Sequence, residues 1–152
     1  MTFPHTAISR SVAETEAVAS LVAVTLRAGQ CIALHGDLGA GKTQFVRGLV
    51  RALGGSPRAV SSPTFVLLNI YEIRSGPLRR VFHLDAYRTH SPDDFESIGF
   101  TELLEQRDSV VVVEWPERIA SLLPDDALHV RISADDPENE NHRLIEISER
   151  SL

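Results

Sequence analysis

Apolar and polar positions follow two rhythms along this chain. After Ser11, the residues Val18, Leu21, Val22 and Leu26 recur at the spacing of an amphipathic helix, and Gly29 marks its stop. Ser11 and Glu14 form a capping-box pair, in which each side chain accepts a backbone N–H across the first turn, so the helix is expected to begin there. Cys31-Ile32-Ala33-Leu34 is a short unbroken apolar run, as a buried strand would be. A second helical stripe of Phe45, Val46, Leu49, Val50 and Leu53 fills the stretch from Lys42 to Leu53, closed by Gly54-Gly55. Strand, glycine-rich turn and helix in that order make one βα unit.

The middle and end of the chain are strand-rich. Phe65 to Ile73 favours extended structure, Ser75-Gly76-Pro77 is a turn, and Leu78 to Leu84 returns. Ser91-Pro92-Asp93-Asp94 opens a helix, with proline in its first turn and carboxylates near the positive dipole end. Val110 to Val113, four valines in a row, suit a strand buried on both faces. Leu128, Val130 and Ile132, then Leu144, Ile145 and Ile147, predict two C-terminal strands. The acidic stretch Asp135 to Asn141 reads as a solvated loop between them.

Composition narrows the function. The 152 residues are 43% hydrophobic, enough for a core without metal or disulfide support, and they fit one domain over residues 1–152. The net charge of -6 argues against gripping DNA, RNA or an anionic membrane by bulk electrostatics. One cysteine, Cys31, allows no internal disulfide or multi-cysteine zinc site. Met1 to Arg10 lacks the apolar run of a signal peptide, and the stretch Ala17 to Leu26 is too short to span a bilayer. A soluble cytoplasmic protein is expected.

Gly36-Asp37-Leu38-Gly39-Ala40-Gly41-Lys42-Thr43 satisfies the Walker A pattern G-x-x-x-x-G-K-[ST], between the apolar strand and the amphipathic helix. A polyphosphate needs several backbone N–H groups converging on it, and a glycine-rich turn lets the main chain come that close. The helix beginning at Lys42 adds its positive end. Lys42 is placed for the β- and γ-phosphates and the Thr43 hydroxyl for Mg²⁺. Of the 15 basic residues, Lys42 is the single lysine. An Asn-Lys-x-Asp guanine-reading segment is therefore excluded, and ATP is the expected nucleotide.

A magnesium site also needs an acid at the end of a neighbouring buried strand. Glu114 follows the four valines and Asp85 follows Val81 to Leu84, so both are candidates. Thr64, in Ser61-Ser62-Pro63-Thr64-Phe65, sits where a switch-type segment would return to the γ-phosphate; an ordinary Ser-Pro turn is the alternative. His83 shares a strand face with Asp85 and suits a hydrogen-bonded structural histidine better than a metal ligand. Trp115 follows Glu114 and is expected near the nucleotide. Arg74, Arg79, Arg80 and Arg88 read as a solvated face, with a partner- or RNA-facing patch as the sharper alternative.

Four ordered motifs now stand together: the Walker A octapeptide, Ser62-Pro63-Thr64-Phe65, His83-Leu84-Asp85-Ala86-Tyr87-Arg88 and Glu114-Trp115-Pro116-Glu117. In order and spacing the chain resembles the TsaE (YjeE) family over nearly its whole length. Ala86 stands where that family usually has leucine, a position without chemistry. The resemblance implies an α/β P-loop NTPase-like three-layer fold, with a central mixed β-sheet flanked by helices. It implies an ATPase in which Leu38, Gly39, Ala40, Gly41, Lys42 and Thr43 hold the phosphates and Thr43 and Glu114 bind Mg²⁺. Asp85 matches the family's essential aspartate, acting on water or the metal shell, and Thr64 its switch-like threonine. Ser11, Thr15 and Arg143 fall where the family approaches the adenine.

The implied role is accessory to threonylcarbamoyladenosine modification of tRNA. The partners would be the TsaB–TsaD pair, with TsaD performing the carbamoyl transfer, and tRNA would be met only through that complex. Two other readings make different predictions. A small-molecule kinase would phosphorylate a metabolite, and a nucleotide-gated interaction module would bind partners without needing hydrolysis.

Overall fold

The computed structural model describes residues 1–63 and 67–152. Strands β1 (His5–Ser9), β2 (Cys31–His35), β3 (Leu68–Ser75), β4 (Leu78–Asp85), β5 (Ser109–Glu114), β6 (Leu128–Asp136) and β7 (Asn139–Ser148) form one sheet. Helices α1 (Val12–Ala23), α2 (Lys42–Ala52), α3 (Pro92–Glu96) and α4 (Phe100–Leu104) cover it. The strand order is β1-β7-β6-β2-β5-β4-β3. β4, β5, β2 and β6 run parallel at the centre, while β3, β7 and β1 pair antiparallel toward the edges. The expected mixed-sheet α/β fold is what forms.

The four valines show why it is three-layered. Val110 and Val112 point into one apolar layer with Phe45, Val46 and Leu49 of α2 and Ala19 and Val22 of α1. Val111 and Val113 point the other way, toward Phe95 of α3, Phe100 of α4 and Ile119. All four are fully buried, as expected of a central parallel strand covered on both faces. Cys31 joins the second layer, and burial, with Asp126 adding to it, pushes its thiol up to about 12, so it stays an inert core residue.

Some expectations shift. α1 ends at Ala23, short of Gly29, and Leu21 from the anticipated stripe is half-exposed. The buried face is Thr15, Ala19, Val22 and Ala23 instead. The Thr25 hydroxyl donates to the Val22 carbonyl at 2.7 Å and closes the last turn early. The Ser11 side chain accepts Glu14 N–H at 3.1 Å, but the Glu14 carboxylate accepts Arg10 N–H at 2.7 Å, one residue before the position a standard box would use.

Two strands also depart from their sequence readings. The acidic stretch Asp135 to Asn141 is largely an extension of the β6–β7 hairpin, its ladder running out to Asp136 paired with Asn139. Antiparallel pairing satisfies the backbone there without any apolar face, so the strands outrun the hydrophobic pattern. β1 was not legible at all: His5–Ser9 is mostly polar and is held by main-chain pairing to β7 at the sheet edge. Thr64 and Phe65 lie outside the described residues, and β3 is described from Leu68. Among the described residues no helix is long and apolar enough to cross a membrane.

Candidate functional site

The Walker A residues connect β2 to α2 at the end of the parallel strands. Gly36 opens the loop; a Cβ there would stand 2.8 Å from the Ile132 carbonyl oxygen on β6, so no side chain fits. Gly41 is the N-cap of α2 with φ of 108°, a left-handed conformation that favours glycine, and no side chain caps the helix. The first-turn N–H groups of α2 are thus left for something else to satisfy.

Beside this loop lies a cleft of about 410 Å³. Its walls include Leu38, Gly39, Ala40, Gly41, Lys42 and Thr43, together with Ser11 and Thr15, Glu114 and Trp115, and Arg143. The N-terminus of α1, the loop, the end of β5 and the start of β7 therefore converge on one space. Three residues not singled out from sequence, Val12, Gln44 and Asn141, also line it, as does Ser62 of the Ser62-Pro63-Thr64-Phe65 motif. Asn141 belonged to the stretch read as loop, and only the hairpin extension brings it here.

Lys42 is the electrostatic centre of the cleft. It is buried, and its Nζ has no hydrogen-bond partner among the described residues. The ammonium stands 3.6 Å from Glu114 Oε1, beyond hydrogen-bond reach, and 4.2 Å from the centroid of the Trp115 ring. A buried ammonium needs anionic or acceptor partners. A phosphate entering the cleft would supply them.

Asp85 and Glu114 end adjacent parallel strands and are paired in register. Both are buried. Glu114 lines the cleft, whereas Asp85 stands one strand further out, its Oδ1 accepting Tyr87 N–H at 2.7 Å. Thr43 and Glu114, the two expected magnesium ligands, both line the cleft. Two protein oxygens suit Mg²⁺, which commonly takes one or two carboxylate or hydroxyl ligands and completes its shell with phosphate and water. His83 is fully buried and hydrogen-bonded, with Nε2 2.6 Å from Glu114 Oε2.

Arg143, in the cleft wall, touches the loop from β7. Its Nε donates to the Ala40 carbonyl at 2.8 Å and its Nη2 to the Gly39 carbonyl at 3.3 Å, while Nη1 donates to His142 and Glu140 carbonyls. Ser11 caps α1, and the buried Thr15 hydroxyl pairs with that of Ser9 at 2.7 Å.

The model of the family described as "Threonylcarbamoyl adenosine biosynthesis protein TsaE" matches residues 9–145, nearly the whole chain. This chain belongs to the TsaE family. Its curated relatives named as tRNA threonylcarbamoyladenosine biosynthesis protein TsaE include one from Rickettsia prowazekii, 35% identical over 97% of this chain and 96% of that protein. One from Treponema pallidum is 41% identical over 78% of this chain and 83% of its own. One from Bacillus subtilis is 39% identical over 84% and 77% respectively. The crystal structure of Bacillus subtilis YdiB superposes with a TM-score of 0.69 at 28% identity, covering 97% of this chain and 87% of that one.

Of the middle-segment arginines, Arg74, Arg79 and Arg80 lie away from this TsaE-family cleft, while Arg88 follows the Asp85 end of β4. Arg79 and Arg80 are at the start of β4, the opposite end from Asp85, where Arg80 pairs with Asp108 at 3.0 Å. Behind the loop, a second cavity of about 450 Å³ holds His35 and His129, with His35 Nε2 3.1 Å from His129 Nδ1. Burial first, then the neighbouring His129 and Arg131, lower His35 from 6.5 to about 4; Glu117 at 3.6 Å works in the opposite direction. Burial, followed by Arg131, lowers His129 as well.

A folded-state pKa below the unfolded value means the unfolded chain takes up the proton first as pH falls. This contribution to stability is therefore complete above pH 6.5 and is lost progressively between pH 6.5 and about 4. Thermal unfolding followed from pH 8 to pH 4 should show the midpoint falling in that window. A His35→Gln variant should show a shallower fall; an identical slope in both proteins would remove the His35 assignment.

Proposed function

We propose that this chain is a Mg²⁺-dependent ATPase that acts as an accessory subunit in threonylcarbamoyladenosine modification of tRNA, working with the TsaB–TsaD pair. The observation that carries the nucleotide part is the buried Lys42 ammonium, without a hydrogen-bond partner among the described residues, at the N-terminus of a helix whose N-cap is a glycine. Family membership supports the pathway.

In this reading the loop N–H groups and Lys42 bind the β- and γ-phosphates, and Thr43 and Glu114 hold the metal. When bound, Mg²⁺ supplies neutralisation of the charge that builds on the transferring phosphoryl group. Asp85, beside Glu114 in register, orients the attacking water or the metal shell. Thr64 keeps its proposed switch role by resemblance. Ser11, Thr15 and Arg143, which also line the cleft, are proposed to approach the adenine of ATP.

Among the described residues Arg143 is the one arginine lining the cleft, and its guanidinium is occupied by loop carbonyls. No arginine remains there to stabilise the transition state, so turnover should be slow in isolation and rise when a partner completes the site. The net charge of -6 fits contact with tRNA through the complex rather than directly. The test is ATP turnover by the purified chain, alone and with purified TsaB and TsaD. Stimulation by the pair is the expected result. Vigorous hydrolysis alone, or no change with the pair present, would overturn the accessory reading, and a phosphorylated metabolite in the product mixture would establish a kinase.

A further inference from the structure

Three buried side chains on three neighbouring strands form a polar line through an otherwise apolar layer. Tyr71 on β3, His83 on β4 and Glu114 on β5 all lie on the sheet face covered by α1 and α2, among Val81, Val110 and Val112. Their relative exposures are 3%, 0% and 3%. The Tyr71 hydroxyl is 2.9 Å from His83 Nδ1 and 3.0 Å from the Ser61 carbonyl oxygen. His83 Nε2 is 2.6 Å from Glu114 Oε2. Asn69 Nδ2 donates to the same Ser61 carbonyl at 3.1 Å.

Burying such groups costs several kcal/mol if any is left unpaired, roughly 1–3 for each neutral one. Apolar residues would satisfy this layer more simply, so the polar line calls for a reason beyond packing. Glu114 provides one. Its Oε2 is held from behind by His83, which leaves Oε1 turned to Lys42 in the cleft. A carboxylate held by one oxygen cannot swing, and the free oxygen is presented at one place. At the far end, Tyr71 and Asn69 hold Ser61, whose neighbour Ser62 lines the same cleft.

We propose that His83 and Tyr71 are positioning residues that fix Glu114 as a one-oxygen metal ligand and tie the Ser61–Ser62 wall of the cleft to that ligand. This rests on the Mg²⁺–ATP reading above. In the arrangement that pairs all these groups, His83 Nε2–H donates to Oε2, Nδ1 accepts the Tyr71 hydroxyl, and the Tyr71 oxygen accepts Ser61 N–H at 3.4 Å while Asn69 donates to the Ser61 carbonyl. Removing the Tyr71 hydroxyl frees the imidazole to tilt, and removing the imidazole frees Glu114. Partners of this kind behind a metal ligand are typically worth about 10- to 100-fold in metal affinity.

The test uses the full chain and Trp115, its single tryptophan, as a fluorescent reporter of nucleotide binding. Nucleotide affinity is measured in EDTA and then against rising Mg²⁺; Mn²⁺ binding by electron paramagnetic resonance gives a direct metal readout. His83→Gln should raise the Mg²⁺ needed for half-maximal tightening about 10- to 100-fold. Tyr71→Phe should raise it several-fold, with nucleotide affinity in EDTA within about twofold of wild type for both.

Unchanged Mg²⁺ and Mn²⁺ dependence in both variants would overturn the proposal. So would parallel losses with and without metal, which indicate a structural role alone. If His83→Gln does not fold, Tyr71→Phe decides the question by itself. A wild-type chain whose nucleotide binding ignores Mg²⁺ would instead overturn the proposed function on which the inference stands.

Discussion

Replacing Lys42 with methionine should remove nucleotide binding while leaving the fold in place. Among the described residues the Lys42 ammonium makes no hydrogen bond, so the change removes only its 3.6 Å ion contact with Glu114, whose other oxygen stays bonded to His83. Its stem is buried, and methionine keeps most of that volume. The loss falls on the complex, where a charged donor to two phosphate groups is worth roughly 1.5–3 kcal/mol for each bond. Affinity should drop by about 100-fold or more, at 1.4 kcal/mol for each factor of ten.

The difference is visible in melting temperature. A ligand at 100 times its dissociation constant stabilises a protein by about 2.7 kcal/mol. For a chain of this size that is roughly 5–10 °C. The wild type should gain that much with Mg²⁺–ATP and the Lys42→Met variant should gain almost nothing, while their ligand-free midpoints stay within a few degrees. Equal stabilisation of both proteins by ATP would mean the nucleotide does not bind at this loop.

Exchanging Asp85 for asparagine should have the opposite profile. The amide oxygen can still accept Tyr87 N–H, the 2.7 Å bond that fastens the turn after β4, so that bond is kept while the charge is lost. Asp85 does not line the cleft, and ATP affinity should stay within about threefold. If its carboxylate orients water or the metal shell, turnover should fall by about 10²- to 10⁴-fold, the usual range for a positioned acid–base group. Single-turnover hydrolysis, with binding monitored through Trp115, separates the two effects. Normal hydrolysis by Asp85→Asn would remove Asp85 from the chemistry and leave it as the anchor of the turn.

These two residues also mark the limits of reading the chain. Lys42 was legible because the phosphate-binding loop is a local structure. Its glycines, lysine and threonine are contiguous, and the apolar run before and the helical stripe after place it between a strand and a helix. Glu114 and Asp85 were legible by a second local signal, an acid closing a buried apolar run. The four valines also announced a strand covered on both faces, because period-2 alternation disappears when neither face meets water.

Some features have no local signal. β1 is polar and is held by main-chain bonds to β7, a strand more than a hundred residues away in the chain. The tip of the β6–β7 hairpin forms by backbone pairing without an apolar pattern, and it carries Asn141 to the cleft. α1 stops at Ala23 because a threonine hydroxyl takes a carbonyl, an event that hydrophobic spacing does not record.

By itself, then, the sequence determined what depends on neighbours along the chain: the βα unit, its phosphate-binding loop, the buried central strands and the acids that end them. Tertiary structure alone decided what depends on neighbours in space. It turned Arg143 onto the loop carbonyls and strung Tyr71, His83 and Glu114 across three strands. Strand order and register place these atoms within about 3 Å of one another, and a local pattern carries no information about which strand will lie beside which.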